Sequence, residues 1–235
     1  LDVLILTHAP LEGAGNFGEV LEDAGATVRT VAFHETPAAR PDLANAELIL
    51  SMGGPMGAND DAAHPWIVTE VELLARAVRN GRKVLGVCLG SQLLARALGG
   101  TVRRTPSAEI GYFPITLTPE GRDDPVLAGL KQTETVLHWH QDTFDLPPNS
   151  ALLASSERTP NQAFRVGRHA YGLQFHIEVD KGMLGGWLED PASRAEITGA
   201  AGAPTPEALL QLAGEHEKRL TWLCSSVLNR LVNLI

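Results

Sequence analysis

The chain has 235 residues, 44% of them hydrophobic, enough to bury the core of one large α/β domain. Lys and Arg number 19 against 28 Asp and Glu, and no basic cluster interrupts this acidic background, which excludes the electrostatic footprint of a nucleic-acid binder. The two cysteines, Cys88 and Cys224, form no C-x-x-C pair, and no apolar run has the length of a secretion signal or a membrane span, so a soluble protein of a reducing cytoplasm is expected.

Asp2 to Thr7 is a short aliphatic run of the kind used by central parallel strands. A glycine-containing loop and a helical pattern from Phe17 to Ala24 follow, closed by Gly25. Ala26 to Phe33 reads as a second strand and Glu47 to Ser51 as a third, with Pro37 and Pro41 punctuating the connection between them. This order predicts a doubly wound, mostly parallel sheet of flavodoxin-like, three-layer type. The third run ends in Gly53-Gly54-Pro55, at the carboxyl edge where such folds place their sites, and glycines there leave backbone amides unobstructed. Ile67, Val71, Leu74 and Val78 then recur at helical spacing, with Gly81 as the stop.

Val84 to Ala95 carries the strongest local signal. An apolar strand stops at Cys88, with Gly86 two places before it and Gly90 two places after, and a helical pattern begins. That is the layout of a nucleophile elbow, G-x-C-x-G in place of G-x-S-x-G, in which a sharp strand-to-helix turn exposes the nucleophile. Taken alone it reads equally well as a small buried thiol in a tight turn. Beyond Gly99-Gly100 the texture changes to short β-prone segments, Gly111 to Leu117, Thr135 to Trp139, Ala151 to Ala154 and Ala163 to Val166, expected to add partly antiparallel strands. His138 and His140 alternate about Trp139, but no further ligand converges on them in the sequence, so no metal is assigned. Tyr171 to Val179 reads as one more strand, and alternation along it puts His176 and Glu178 on one face. Cys88 thereby gains a candidate base and a group to orient it.

Gly86 to Gln92, followed far downstream by His176-Ile177-Glu178, resembles the class I, or triad, glutamine amidotransferases, whose members carry a G-x-C-x-G-x-Q elbow and a later H-P-E. Ser51 to Pro55 is similar to that family's S-G-G-P oxyanion loop, and His138 to Asp142 to its S-H-G-D region; Ile177 departs from the pattern, standing where proline is usual. The resemblance covers roughly Asp2 to Val179. It implies a catalytic triad of Cys88, His176 and Glu178, oxyanion donors at the Gly54 and Leu89 amides, and a substrate pocket lined by Gln92, Trp139, His140, Gln141 and Asp142. It also implies hydrolysis of a γ-glutamyl amide through a Cys88 thioester, releasing glutamate and ammonia, with no cofactor. A γ-glutamyl peptidase, or a non-catalytic binding or regulatory module of the same fold, are the competing expectations.

Residues 1–179 are thus expected to form the amidotransferase-like domain and 180–235 a helical carboxyl-terminal extension packed on it. In the extension, Thr205-Pro206 starts a long amphipathic helix marked by Leu209, Ala213, His216, Leu220, Leu223, Val227 and Leu231, with Cys224 a buried structural thiol beside that face. The apolar run Leu231 to Ile235 packs on the main domain or serves a partner or second copy. No G-x-x-x-x-G-K-[ST] loop occurs, so any synthetase that uses the ammonia is expected to be a separate subunit.

Overall fold

The computed structural model describes residues 1–234; Ile235, the last of the apolar terminal run, lies outside the described residues. In chain order the elements are β1 (Asp2–Thr7), α1 (Asn16–Asp23), β2 (Thr27–Ala32), β3 (Leu48–Ser51), α2 (Trp66–Arg79), β4 (Lys83–Val87), α3 (Leu89–Ala97), β5 (Val102–Leu117) and α4 (Pro119–Asp123). Then come β6 (Thr133–Phe144), β7 (Ser150–Ser155), β8 (Ala163–Val166), β9 (Ala170–Leu173), α5 (Lys181–Glu189), α6 (Pro191–Gly199) and α7 (Pro206–Val232). The strands form a 9-stranded sheet in the order β2-β1-β3-β4-β9-β8-β7-β5-β6. The pairs from β2 to β9 are parallel, and those from β9 through β8, β7, β5 and β6 are antiparallel.

Strand alternation builds the three layers. Val3, Ile5, Leu48, Leu50, Leu85 and Val87 face one core, shared with α1 and α7, while Leu4, Leu6, Ile49 and Val84 face the other, shared with α2 and α3. The long helix fills a layer of the main core: Leu220, Leu223, Cys224, Val227, Leu228 and Leu231 pack in the same cluster as β1, β3 and β4. At about 1.5–3 kcal/mol per buried aliphatic side chain, this face stabilises the fold well beyond what helix propensity supplies. Its amino terminus is capped as the sequence suggests, with the Thr205 hydroxyl accepting from the Ala208 amide at 3.2 Å.

One sequence expectation needs correction. The strand expected over Tyr171 to Val179 ends at Leu173, and beyond it His176 makes only an isolated bridge to Leu137. His176 and Glu178 therefore do not share a strand face. Helices α5 and α6 fall within the helical extension expected over 180–235, although Gly182, Gly185 and Gly186 weaken the helical pattern and Pro191 reads as a break. Asp180 and Asp190 supply their amino-terminal caps, accepting from the amides of Met183 at 2.7 Å and Ser193 at 2.9 Å. Pro191 is the first residue of α6, where its missing N–H costs nothing.

Candidate active site

The Cys88 turn is built by close backbone contact. Cys88 takes φ 50 and ψ −109 at the junction of β4 and α3, a region that a residue with a side chain enters only under strain. The turn is held by Cys88 N–H donating to Leu173 O at 2.8 Å, by Ser91 N–H and Oγ donating to Cys88 O at 3.0 and 2.7 Å, and by Gly90 N–H donating to Met52 O at 3.0 Å. Any β-carbon at Gly90 would lie 2.0 Å from the Ser51 carbonyl oxygen, so this elbow glycine is required by packing.

His176 shares a cleft with Cys88 and is bonded to a carboxylate. Its backbone N–H donates to Leu137 O at 2.8 Å, and its Nδ1 lies 2.7 Å from Glu178 Oε1. Cys88 Sγ lies 3.7 Å from the Trp139 carbonyl. Burial opposes protonation of His176, yet Glu178 and Cys88 together outweigh it and hold the imidazole well above its usual range. Ile177 adds a contact that proline could not: its N–H donates to Glu178 Oε2 at 3.0 Å, so both carboxylate oxygens are engaged. Cys224 lies buried in the core, where desolvation pushes its thiol up, away from the thiolate.

Opposite the sulfur lies the loop after β3. Gly54 has no room for a side chain, since a β-carbon would meet Leu89 Cδ2 at 2.6 Å and Met56 Sδ at 2.8 Å. Leu89 opens α3, so its amide is one of the donors a helix start leaves free. A support that sequence reasoning missed fixes the Gly53–Gly54 peptide. His8 Nδ1 lies 2.8 Å from Gly53 O and His8 Nε2 2.8 Å from Glu70 Oε2, while Ser51 Oγ donates to Glu70 Oε1 at 2.6 Å. Because C=O and N–H point oppositely across a trans peptide, holding the Gly53 carbonyl aims the Gly54 amide the other way. Burial works against a charge on His8, but Glu70 more than offsets it and raises the imidazole above its usual range. The available signal was position: His8 follows β1 directly, at the carboxyl edge of the sheet.

Cys88, Gly54, Leu89, Gln92, Trp139, His140, Gln141, Asp142 and His176 all line one cleft of about 610 Å³. They do not all present free groups to it. Gln92 Nε2 donates to Gln174 Oε1 at 3.1 Å and to Asp142 O at 3.3 Å, and His140 turns its Nε2 toward Glu109 at 3.2 Å. Helices α5 and α6 complete the rim. Trp187 packs edge-on against both His176 and Trp139 and donates its Nε1–H to Leu11 O at 2.8 Å, while Glu196 accepts from Trp139 Nε1–H at 2.9 Å. Glu12 was missed as well; its Oε2 would stand 2.5 Å from a β-carbon on Gly53, and burial pushes its carboxyl up to about 7.

Fold and site define a doubly wound α/β protein with an elbow cysteine and a bonded histidine–glutamate pair beside one cleft. The chain belongs to the class I glutamine amidotransferase family, whose model matches residues 15–188. It is 34% identical over 203 residues to the glutamine amidotransferase-like protein YfeJ of Salmonella typhimurium, covering 85% of this chain and 84% of that one. It is 32% identical to a glutamine-hydrolysing GMP synthase of Porphyromonas gingivalis, over 68% of this chain but only 31% of the synthase. Identity to γ-glutamyl peptidase 3 of Arabidopsis thaliana is also 32%, over 61% of this chain and 59% of the peptidase. The crystal structure of a glutamine amidotransferase from Thermotoga maritima superposes with a TM-score of 0.88 at 31% identity, covering 99% of this chain and 98% of that one.

Proposed function

We propose that this chain hydrolyses a γ-glutamyl amide through a thioester at Cys88. The observation that carries the reading is that the elbow Cys88 shares one cleft with His176, whose imidazole lies 2.7 Å from the Glu178 carboxylate. His176 takes the thiol proton, and the sulfur attacks the carboxamide carbon to form a tetrahedral oxyanion stabilised by the Gly54 and Leu89 amides. Glu178 holds the imidazolium, which then protonates the departing nitrogen as the C–N bond breaks, leaving ammonia and the thioester. A water activated by the same imidazole cleaves the thioester, returns the proton to sulfur and frees glutamate. Acidic groups in the cleft, Glu12, Asp142, Asp190 and Glu196, suit a substrate α-amino group, and Arg104 suits its α-carboxylate.

A γ-glutamyl peptidase uses the same steps with a larger amine as leaving group. The cleft favours keeping this reading, because about 610 Å³ lies within the range of roughly 300–1,000 Å³ that holds drug-sized ligands, more than glutamine fills. Delivery of ammonia to a separate synthetase is a further part of the proposal. Its support is the likeness to a glutamine-hydrolysing GMP synthase. Side-by-side assays test these readings: ammonia release from glutamine against amine release from γ-glutamyl dipeptides. A kcat/KM higher for glutamine supports the amidohydrolase, one higher for the dipeptides supports the peptidase, and no turnover of either by folded protein overturns both.

A further inference from the structure

We propose that Glu109, His138 and His140 form a binding site for one divalent transition-metal ion, with zinc the best match. The site lies between β5 and β6, behind the cleft. Glu109 is the first residue to resume pairing after the irregularity in β5, and its partner across the ladder is His140. The three side chains are buried, and one ligand atom from each lies within 4.8 Å of the others.

Hydrogen bonding fixes which atoms face one another. His140 Nδ1 lies 3.1 Å from the Asp142 carbonyl, which can only accept, so Nδ1 carries a proton, and in the neutral ring Nε2 presents a lone pair. That lone pair faces Glu109 Oε2 at 3.2 Å, and His138 Nδ1 lies 4.0 Å from the same oxygen. Three electron-rich atoms within 4.8 Å of one another are stabilised by positive charge between them. A single proton shared by His140 and Glu109 relieves one of these contacts and leaves His138 unserved. The Phe113 backbone lies near His138, but neither ring nitrogen makes a properly oriented hydrogen bond, although the residue is fully buried. A buried imidazole without partners is costly, and a cation at the common focus satisfies all three groups at once.

The surroundings match a ligand set. Ser156 Oγ donates to Glu109 Oε1 at 2.8 Å and Gln162 Nε2 to Glu109 Oε2 at 2.9 Å, while the Asp142 carbonyl fixes the His140 tautomer; metal ligands are normally oriented by such partners. An anionic carboxylate and a neutral imidazole are the forms that ligate. Two imidazoles and one carboxylate favour zinc over magnesium or calcium, which select oxygen donors. Ligand atoms on a tetrahedral zinc with bonds of about 2.1 Å sit about 3.4 Å apart, close to the 3.2 Å found for the first pair, so only His138 must close inward. An ion there ties β5 to β6, the strand that places Trp139 against Cys88.

The test is titration calorimetry of chelator-stripped full-length chain with Zn²⁺ and, separately, Mg²⁺. It uses wild type and Cys88→Ala, the latter removing Cys88 as a rival ligand. The expectation is one equivalent of Zn²⁺ bound by both, no Mg²⁺ bound, and affinity weakened about 100-fold or more in Glu109→Gln and His138→Phe made in the Cys88→Ala background. Zinc-edge X-ray absorption on the Cys88→Ala chain needs no folded variant, and two imidazoles with further oxygen ligands are expected. Absence of stoichiometric Zn²⁺ binding by folded Cys88→Ala chain overturns the site. So does affinity unchanged by Glu109→Gln, or an absorption spectrum with sulfur or without imidazole ligands.

Discussion

Replacing Glu12 by Gln should stabilise the protein at pH 8 and change it little at pH 5. Burial lifts the Glu12 carboxyl from 4.5 to about 7, with Glu178 and Glu196 adding to the rise and His176 and His8 opposing it. The unfolded chain ionises this group near its ordinary value, so the folded state carries an increasing cost as pH climbs from about 4.5 to about 7 and the full cost above that. At about 1.36 kcal/mol per pH unit the ceiling is roughly 3 kcal/mol, and partial solvent access at this loop reduces the expected value to about 1–2 kcal/mol. Gln keeps the shape and removes the charge. Urea unfolding of wild type and Glu12→Gln at both pH values measures the difference. A gain of about 1–2 kcal/mol at pH 8 that shrinks toward zero at pH 5 is expected. Equal gains at both, or none at pH 8, would refute the reasoning that burial of this charge is what raises its pKa.

Cys88→Ala should lose all turnover while unfolding as wild type does, and Cys224→Ser, on the α7 face, should keep it; glutaminase and γ-glutamyl dipeptide assays with circular dichroism decide both. His176→Ala should cost about 10⁴ in kcat, with Glu178→Gln costing less because that carboxylate acts only through the imidazole. His8→Gln should lower kcat with little change in KM, since it disturbs the aim of the Gly54 amide rather than the substrate contacts. It should also cost stability of about 3 kcal/mol or more by leaving Glu70 buried without its partner, and steady-state kinetics paired with urea unfolding would show whether the two effects occur together.

The parallel half of the fold was legible because its inner strands β1, β3 and β4 are short, buried aliphatic runs and its helices carry clean stops such as Gly81 and Gly99. The elbow was legible for a different reason: a nucleophile on a strained turn needs Gly90 where the Ser51 carbonyl presses in, and that need is written at fixed spacing. His176 and Glu178 were found by an argument from strand alternation that the structure does not support. What brings them together is the turn after β9 and the bond between neighbouring side chains. The His8–Glu70 pair, Glu12, Trp187 and Glu109 escaped notice because each acts across a distance that only the folded topology closes. His8 and Glu70 are 62 residues apart in sequence, and nothing local distinguishes either from an ordinary polar residue.

The central claim is that the Cys88 sulfur attacks a γ-glutamyl carbonyl. Incubating the full chain with an electrophilic glutamine analogue, digesting it and mapping the adduct by mass spectrometry tests that claim most directly. Stoichiometric modification of Cys88, slowed by added glutamine and lost in His176→Ala, is the predicted result. An adduct on Cys224 or elsewhere with Cys88 untouched, or labelling of Cys88 indifferent to both glutamine and His176, would contradict it.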